Sequence, residues 1–580
     1  MPGVRQRLGI DADAAASGAS SSTGDYFRGM YASARLSAAE VSQGASAIVS
    51  DLGGSSDVRQ LGSANPTKKR RLKDGSEKLD TRNVSRDVRR AFARHRSERS
   101  KLPVPIDIEI PLWSKKGVSE LKAVSFLLPH LLLDSIPEGE EEDSCFLAPE
   151  QVVVRRDLEA WKNRLDLGDE GPPIASCSLW GDGAPFALRD SVQLLILSLI
   201  SGTEAVRWWV CAFSKTAYCR CGCKGRHTFD AIFEVLAWSF RAAAAGVHPR
   251  HDHKNALLDP RSKLGKLAGR KMRIRGALLS KQGDWSWYKQ VLGLNGWKGE
   301  GPSKRVCWIC PATIGGACPC WDFTADALWR RTKITSGEYF DHAARHGHFV
   351  STFWQIPGVT LSTIKIDWMH VVCLGIMQYA SGSTMWELFQ SLGGTFKKPV
   401  DACGKLMSMI EVKSKELNVD LPLYDLSVTM FRKGASKKPK LSLKAAEGRH
   451  FLRILHGILR DYFPHDDHHA RARFALIDSL FSCYMELDNW IPGGTSKDNL
   501  ARLGKRHLLL CVDLAEHNDT WNLFPKHHLF GHIVTDADEN PKTTWNYALE
   551  SEIGDASVVA ANSSKPHLQR ALIQRYVVTK

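Results

Sequence analysis

The chain has 580 residues, of which 43% are hydrophobic and 24% are charged, and its formal net charge at pH 7 is +15. This length and composition are typical of a globular protein with several domains. We find no apolar run of roughly 18 residues and no apolar core of a secretory signal near the start, so neither a membrane span nor secretion is expected. The excess of Lys and Arg (78) over Asp and Glu (63) favours a polyanionic partner, above all nucleic acid, although a merely soluble basic protein has the same balance.

Residues 1–100 are predicted to be disordered, because the segment ADAAASGASSSTG is of low complexity and large apolar residues are sparse before Leu102. This region contains two basic runs, PTKKRRLK and RDVRRAFARHRSERSK, each of which is equally compatible with a solvated tail. The first run matches a nuclear-import signal and predicts a location in the nucleus. Its basic residues are Lys68, Lys69, Arg70, Arg71 and Lys73.

Residues 101–170 are predicted to form an accessory helical region. Helical patterns occur in VSELKAVSFLLPHLLLDSI and in EQVVVRRDLEAWKNRLDL, on either side of the acidic stretch EGEEED. No residue pattern in this region indicates a chemical function.

Residues 171–375 carry the pattern of an α/β fold. Three strands are predicted in IASCSLWGDGAPF, SVQLLILSLISG and VRWWVCAFSK, followed by a helix in TFDAIFEVLAWSFRAAAAG and a fourth strand in MRIRGALLSKQGDW. Asp182 and Asp284 are expected at the ends of the first and fourth strands. The order predicts a ribonuclease-H-like catalytic core with a mixed sheet, β-β-β-α-β-α-β in sequence, whose last strand is IKIDWMH.

The remaining sequence is predicted to be mostly helical. Residues 376–530 contain long amphipathic patterns such as LKAAEGRHFLRILHGILRDYF, which predict a large all-α insertion into the core. Residues 531–580 are predicted to hold a closing catalytic helix, carrying Glu550 and Glu552, and a C-terminal tail.

Carboxylates at these positions suit phosphoryl transfer by two metal ions, in which the ions lie roughly 3.5–4 Å apart and are held by convergent acidic side chains. Asp182, Asp284 and a glutamate of the closing helix would supply them. Each aspartate, taken alone, is better explained as a structural turn residue, and only the combined order of strands and carboxylates favours a catalytic role. Asp367 and His370 are expected beside this centre; the alternative is that Asp367 caps a helix beginning at Trp368, with His370 as a core histidine.

Two groups of cysteines and histidines have the spacing of zinc ligands. Cys307 and Cys310 form a CxxC pair, and His528 and His532, four apart on a predicted helix, share a face; His527 is an alternative ligand. A zinc ion held there would tie the two ends of the helical insertion together, whereas the alternative is a reduced hairpin with core histidines. A second zinc site is suggested by Cys219, Cys221, Cys223, His227, Cys318 and Cys320.

Several of these segments resemble DDE/D cut-and-paste DNA transposases, in particular the CACTA-type and Kyakuja–Dileera–Zisupton groups of eukaryotic elements. The matching segments are SLWGDGAPF, QGDW, CWIC, IDWMHVVCLG, LKAAEGR, PKHHLFGH and NPKTTWNYALESEIG, within residues 170–560. The Cys and His arrangement also resembles the zinc-bound insertion of the vertebrate immune-receptor recombinase.

The resemblance implies a transposase in which Asp182, Asp284 and Glu550 bind two Mg²⁺ (or Mn²⁺) ions, with structural Zn²⁺ elsewhere. It also implies double-stranded DNA, as transposon ends and target, and self-association. Phosphate-backbone contacts are expected from Arg270, Lys271, Arg273 and Arg275. Many relatives have an acidic residue where this chain has Leu549, so the third carboxylate is Glu550 or Glu552. The alternatives are a catalytically inactive transposon-derived protein that binds DNA or proteins in the nucleus, and an unrelated zinc-stabilised interaction protein.

Overall fold

The structure is a computed structural model. It describes residues 69–71, 77–79, 102–113, 117–136, 151–168, 170–200, 206–294, 304–393, 395, 398–421, 423, 425–434, 437–463, 466–563 and 567–579. Most of the segment predicted to be disordered, including Lys68 and Lys73 of the predicted import signal, lies outside these ranges. Within that segment the backbone of β1 (Lys69–Arg71) pairs antiparallel with that of β2 (Glu77–Leu79).

The functional residues are organised around a four-stranded mixed sheet. Its strands are β5 (Ile174–Ala187), β6 (Asp190–Leu199), β7 (Arg207–Ser214) and β8 (Arg275–Gln282), in the order β7-β6-β5-β8. β5, β6 and β7 form an antiparallel meander, and β8 lies parallel to β5. The predicted mixed α/β class is confirmed. Every residue of β8 is buried, as expected of a strand covered on both faces.

Two details of the sheet differ from the prediction. Asp182 lies inside β5 rather than at its end, because the hairpin with β6 keeps pairing as far as Ala187. The strand predicted at IKIDWMH is wrong: Ile364 makes a single parallel bridge to Lys281, and the chain then turns into a helix at Trp368. Asp367 ends the extended segment by capping that helix, so the ladder does not continue.

The helix predicted at VSELKAVSF is also wrong. β3 (Ile106–Trp113) and β4 (Ser119–Phe126) form an antiparallel hairpin, followed by the short helix α1 (Pro129–Asp134). Exposure alternates over the first half of β4, where Leu121 is exposed and its neighbours Glu120 and Lys122 are half-buried, as expected of a strand, and the end of β4 is buried on both faces. The second predicted helix of this region is confirmed as α2 (Val152–Arg164).

Helices account for most of the remaining described chain. In order they are α3 (Arg226–Ala245), α4 (Trp285–Trp287), α5 (Leu328–Arg331), α6 (Ser336–Arg345), a π-helix (Met369–Ile376), α7 (Met377–Gly393), α8 (Pro399–Glu416), α9 (Val428–Phe431), α10 (Ala445–Tyr462), α11 (His468–Asp488), α12 (Ser496–His517), α13 (Lys526–Asp536), α14 (Tyr547–Ala561) and α15 (Leu568–Thr579). Short 3₁₀ or π turns occupy Lys215–Ala217, Tyr288–Leu292, Thr352–Gln355, Leu361–Thr363 and Pro541–Thr544.

One continuous apolar core joins the sheet to the helices. α3 packs on β8, α14 packs on β5 and β6, and α15 packs on β7 and β4. The helices between α7 and α13 add their apolar faces to the same core, with α11, α12 and α13 packed in succession. A search of the described helices for a long apolar segment able to cross a membrane finds none.

Candidate functional site

An acidic centre forms where α14 crosses β5. Asp182 of β5, Glu550 of α14 and His370 of the π-helix each place one potential ligand atom within 4.8 Å of the others. All three side chains are half-buried, so the centre is held by the core and still reachable from solvent. Sequence segments far apart in the chain thus converge on one small volume.

Close packing around Asp182 depends on its two glycine neighbours. A Cβ atom at Gly181 would lie 2.4 Å from the ring of Trp287, and one at Gly183 would lie 1.8 Å from the side-chain nitrogen of Gln193. Both distances are far below van der Waals contact. Alternate residues of a strand face opposite sides, so the glycines allow close contacts on one face while Asp182 points towards α14 on the other.

Asp284 follows β8 and caps α4 by accepting a hydrogen bond from the backbone N–H of Trp287. Its charge raises the pKa of Asp182, and its side chain lines the same cavity as Asp367 and His370. Among the described residues, Asp284 is not a member of the close group formed by Asp182, His370 and Glu550. The three predicted catalytic carboxylates therefore lie in one region, with Asp284 at a larger distance than the other two.

Asp367 is a buried hydrogen-bond acceptor that connects two parts of the site. Its carboxylate accepts bonds from the backbone N–H groups of Met369 (3.0 Å) and His370 (3.1 Å), which caps the helix, and from that of Asn546 (3.2 Å) directly before α14. It also bonds the Nδ1 atom of His370 at 2.5 Å. The helix cap that the sequence offered as the alternative is confirmed, and the same residue aligns His370 with the helix that carries Glu550.

His370 is held as a cation. Burial alone would lower its pKa, but the hydrogen bond that Nδ1 donates to Asp367 and the negative charges of Asp367, Asp284 and Asp182 together raise the pKa to about 9. Its Nε2 atom lies 3.7 Å from Oε1 of Glu550. His370 is therefore a charged group that faces the acidic centre rather than a neutral core histidine.

The two close carboxylates, Asp182 and Glu550, repel each other when both are ionised. Burial, followed by the charges of Asp284 and Glu550, raises the pKa of Asp182 to about 8. Burial also raises the pKa of Glu550, against the opposing charge of His370. Carboxylates crowded in this way hold a proton between them near neutral pH or take up a cation, and a hard divalent ion with oxygen ligands fits the donor set.

The rotation of α14 places Glu550 and Glu552 in different surroundings. Glu552 accepts a hydrogen bond of 2.7 Å from Nε1 of Trp209, on β7. Residues two apart on a helix point about 200° apart, so Glu552 turns away while Glu550 faces Asp182. Glu552, expected near the site, is tied to the sheet instead.

A cavity of about 370 Å³ opens beside Asp284, Asp367 and His370. Its walls combine aromatic rings with two lysines, Lys440 and Lys526; the rings belong to Trp285, Tyr288, Trp308, Tyr379 and Phe524. The Nζ atom of Lys526 donates to the carbonyl oxygens of His370 (2.6 Å) and Leu374 (3.3 Å), which the wide π-helical turn exposes. Burial and the nearby charge of Lys440 lower the pKa of Lys526 to about 8.

Lys281, like Lys526, lies near the acidic centre and was not predicted from the sequence. It is fully buried in β8, and its Nζ atom lies 4.0 Å from the ring centre of Trp287. Burial lowers its pKa well below the ordinary value, while the charges of Asp182 and Asp284 oppose that effect. The sequence signal that could have indicated this buried lysine is its position within the apolar run that leads to Asp284.

The Cys307, Cys310, His528 and His532 side chains form a closed, fully buried group with ligand atoms within 4.8 Å of one another. The Sγ atom of Cys310 lies 3.2 Å from Nε2 of His528 and 3.3 Å from Nε2 of His532. Zinc bonds of roughly 2.3 Å to sulfur and 2.0–2.1 Å to nitrogen give tetrahedral S···N edges of about 3.5 Å. The Nδ1 atom of His532 bonds Asp536 at 3.0 Å, the carboxylate partner typical of metal-binding histidines.

This buried group could hold a zinc ion, and it joins the loop after β8 to α13. His527, the alternative ligand, instead places Nδ1 against the backbone of Phe524. Cys318 and Cys320 also differ from the prediction. Neither belongs to the close group of Cys219, Cys221, Cys223 and His227, and burial together with the charge of Cys307 raises the pKa of both thiols, as expected if they flank the Cys307 group.

The basic residues expected to contact DNA are not grouped at the acidic centre. Arg275 is buried and donates from Nε to the carbonyl of Pro172 at 2.8 Å, and Arg273 donates to the carbonyl of Ile136. Both are therefore structural. Arg270 and Lys271 are exposed but precede β8, whose eight residues span about 25 Å before Asp284.

Comparison of the chain with protein-family models and with curated proteins gave no match.

Proposed function

We propose that this protein is a DDE/D-type, transposase-like enzyme that cleaves DNA strands and joins them by two-metal phosphoryl transfer. The observation that carries the proposal is the convergence of Asp182 of β5 and Glu550 of α14 within 4.8 Å, with the charge of Asp284, just after β8, raising the pKa of Asp182. The sheet order β7-β6-β5-β8, with three antiparallel strands and a parallel fourth, supports a ribonuclease-H-like core.

The residues present fit a pair of hard divalent ions. Asp182 and Glu550 offer oxygen ligands to a shared position, and Asp284 offers a carboxylate on the cavity side of it. Mg²⁺ or Mn²⁺, when bound, would activate a water molecule or a 3′-hydroxyl and stabilise the leaving oxygen.

The protein's own side chains would position the DNA. Asp367 holds His370 by two hydrogen bonds, so the cationic ring faces Glu550 and can contact a phosphate oxygen. The aromatic cavity beside Asp284, at about 370 Å³, is of a size that accommodates one nucleotide flanking the scissile phosphate. Lys440 in its wall supplies positive charge for the DNA backbone.

The same proposal includes a nuclear location, double-stranded DNA as partner and self-association. The support for DNA is the net charge of +15 together with the site. The import signal remains a prediction from the sequence.

The test is cleavage of supercoiled plasmid and of duplexes taken from both flanks of the gene, using the full chain with Mg²⁺ or Mn²⁺. We expect metal-dependent nicking that is lost in Asp182→Asn, Asp284→Asn and Glu550→Gln. If the protein binds DNA in a gel-shift assay but cuts none of these substrates with either ion, the result would favour the inactive, transposon-derived alternative. Cleavage that persists in Asp284→Ala would contradict the catalytic assignment.

A further inference from the structure

A short loop between β7 and α3 gathers three thiols and an imidazole. Cys219, Cys221, Cys223 and His227 lie within nine residues, and their potential ligand atoms all lie within 4.8 Å of one another. The loop is at the surface, where Cys221 and His227 are exposed and Cys219 is buried. It has no role in the phosphoryl-transfer chemistry proposed above.

The distances match a tetrahedral metal site. Nδ1 of His227 lies 3.5 Å from Sγ of Cys219 and 3.3 Å from Sγ of Cys221. For zinc bonds of roughly 2.3 Å to sulfur and 2.0–2.1 Å to nitrogen, a tetrahedral S···N edge is about 3.5 Å. The side chains are thus already spaced as ligands around a common centre.

The loop backbone is built to bring these side chains together. Gly222, Lys224 and Gly225 all adopt positive φ (96°, 56° and 88°), a conformation that costs free energy at the lysine. A Cβ atom at Gly225 would lie 2.7 Å from the ring of Tyr218, so that position requires glycine. Backbone bonds from Gly225 to Cys219 (3.1 Å) and from Arg226 to Cys223 (3.2 Å) close the turn.

We propose that Cys219, Cys221, Cys223 and His227 bind one Zn²⁺ ion in a Cys₃His site, separate from the Cys₂His₂ group. Three thiolates and one imidazole are a closed, soft ligand set that suits zinc, and such structural sites are four-coordinate. Three cysteines cannot pair off as disulfides among themselves without leaving a free thiol. The ligand set excludes Cys318 and Cys320, which flank the other group.

The ion would fix the loop over Tyr218. The Tyr218 ring packs against Phe213 and Phe229, with ring centres 5.8 Å and 5.1 Å away, beneath the turn at Gly225. A zinc ion in the loop would therefore stabilise the turn that covers this aromatic cluster.

The experiment is zinc analysis of the full chain purified without chelators. We expect two zinc ions per chain, with an average X-ray absorption environment of about 2.5 sulfur and 1.5 nitrogen ligands, the mean of a Cys₃His and a Cys₂His₂ site. Cys221→Ser, at an exposed ligand, should lower the content by one ion. Arg220→Ala, in the same loop but not a ligand, should retain both.

One zinc per chain with equal numbers of sulfur and nitrogen ligands would overturn the proposal, and this measurement needs no variant that must fold. Full zinc content in Cys221→Ser would overturn it as well. Both readouts are independent of DNA cleavage, so the second zinc site and the proposed enzymatic function can fail separately.

Discussion

The acidic centre and the buried Cys₂His₂ group are built from the same two parts of the chain but are opposite in physical character. Both join the sheet or the loop after it to a helix near the C-terminal end: Asp182 to Glu550, and Cys310 to His528 and His532. The Cys₂His₂ group is fully buried and pairs soft donors with imidazoles, whereas the acidic centre is half-buried and pairs oxygen donors beside an open cavity.

The difference indicates a division of roles. A closed site with four protein ligands has no position for a substrate and contributes folding free energy, whereas an open site with few ligands leaves positions for water and phosphate. Burial and neighbouring carboxylates raise the pKa of Asp182, so ionisation of this group is unfavourable in the folded protein and would be favoured by a bound cation. The Cys₂His₂ group takes its histidines from α13, and the acidic centre takes Glu550 from α14, the next α-helix in the chain.

The largest effect is expected from removing one ligand of the Cys₂His₂ group. Cys310→Ser should lose one zinc ion per chain and lower Tm on the order of 10 °C, because structural zinc binding contributes directly to folding. Metal content and thermal unfolding check this. Cys318→Ser, a buried thiol beside the group, is the matched control and should keep its zinc; an equal loss in both variants would refute the ligand assignment.

Asp182→Asn should lower DNA cleavage by about 10³-fold while leaving the zinc content unchanged. The same change should raise Tm in metal-free protein at pH 7. The pKa of Asp182 is raised in the folded state. Ionisation of Asp182 therefore opposes folding at every pH above the pKa near 4 that this group has in the unfolded chain. A fall in both activity and Tm would mean that Asp182 is a structural residue.

Glu550 and Glu552 provide an internal comparison on one helix. Glu550→Gln should reduce cleavage about 10²-fold or more, because it removes a metal-binding charge. Glu552→Gln should leave cleavage nearly unchanged, because the amide oxygen can still accept from Nε1 of Trp209. Parallel rate measurements on the two variants test this, and the reverse pattern would exclude Glu550 as the third carboxylate.

Asp367→Asn should reduce cleavage by roughly 10–100-fold, the usual size of effect for a residue that orients a group in a metal site. The amide would weaken the bond that keeps His370 charged and aligned. Rates at saturating metal are the measurement. His456→Asn alters another histidine–aspartate pair, with Asp478 at 3.1 Å in the helical region, and should leave cleavage unchanged.

The smallest expected effect concerns a buried imidazole outside both sites. Burial lowers the pKa of His130 to about 3, so stability from its neutral form is complete above the unfolded pKa near 6.5 and is lost as pH falls towards 3. At pH 5 the loss is about 2 kcal/mol of the free energy of unfolding. Urea unfolding at pH 7 and pH 5 should show reduced acid sensitivity in His130→Asn but not in His517→Asn, an exposed histidine.

The sequence by itself was sufficient for the elements with strong local patterns. The strands β5 to β8, α3 and the long helices of 376–530 follow from apolar runs and helical spacing, which are local properties. The ligand groups could also be predicted, because CxxC and HxxxH fix the spacing of side chains within a turn or a helix.

Tertiary structure decided the features that depend on partners distant in sequence. The β3–β4 hairpin replaced a predicted helix, because pairing between strands outweighed a helical pattern in VSELKAVSF. Asp367 became a helix cap rather than the end of a strand, and the rotation of α14 against β5 placed Glu550, not Glu552, beside Asp182.

The buried lysines Lys281 and Lys526 show the same limit. Their environments arise from rings and carbonyl groups contributed by other segments, such as Trp287 for Lys281 and the π-helical turn at His370 for Lys526. Local sequence determines which side chains are available, whereas burial and electrostatics, which set their pKa values and hence their chemistry, exist only once those segments pack together.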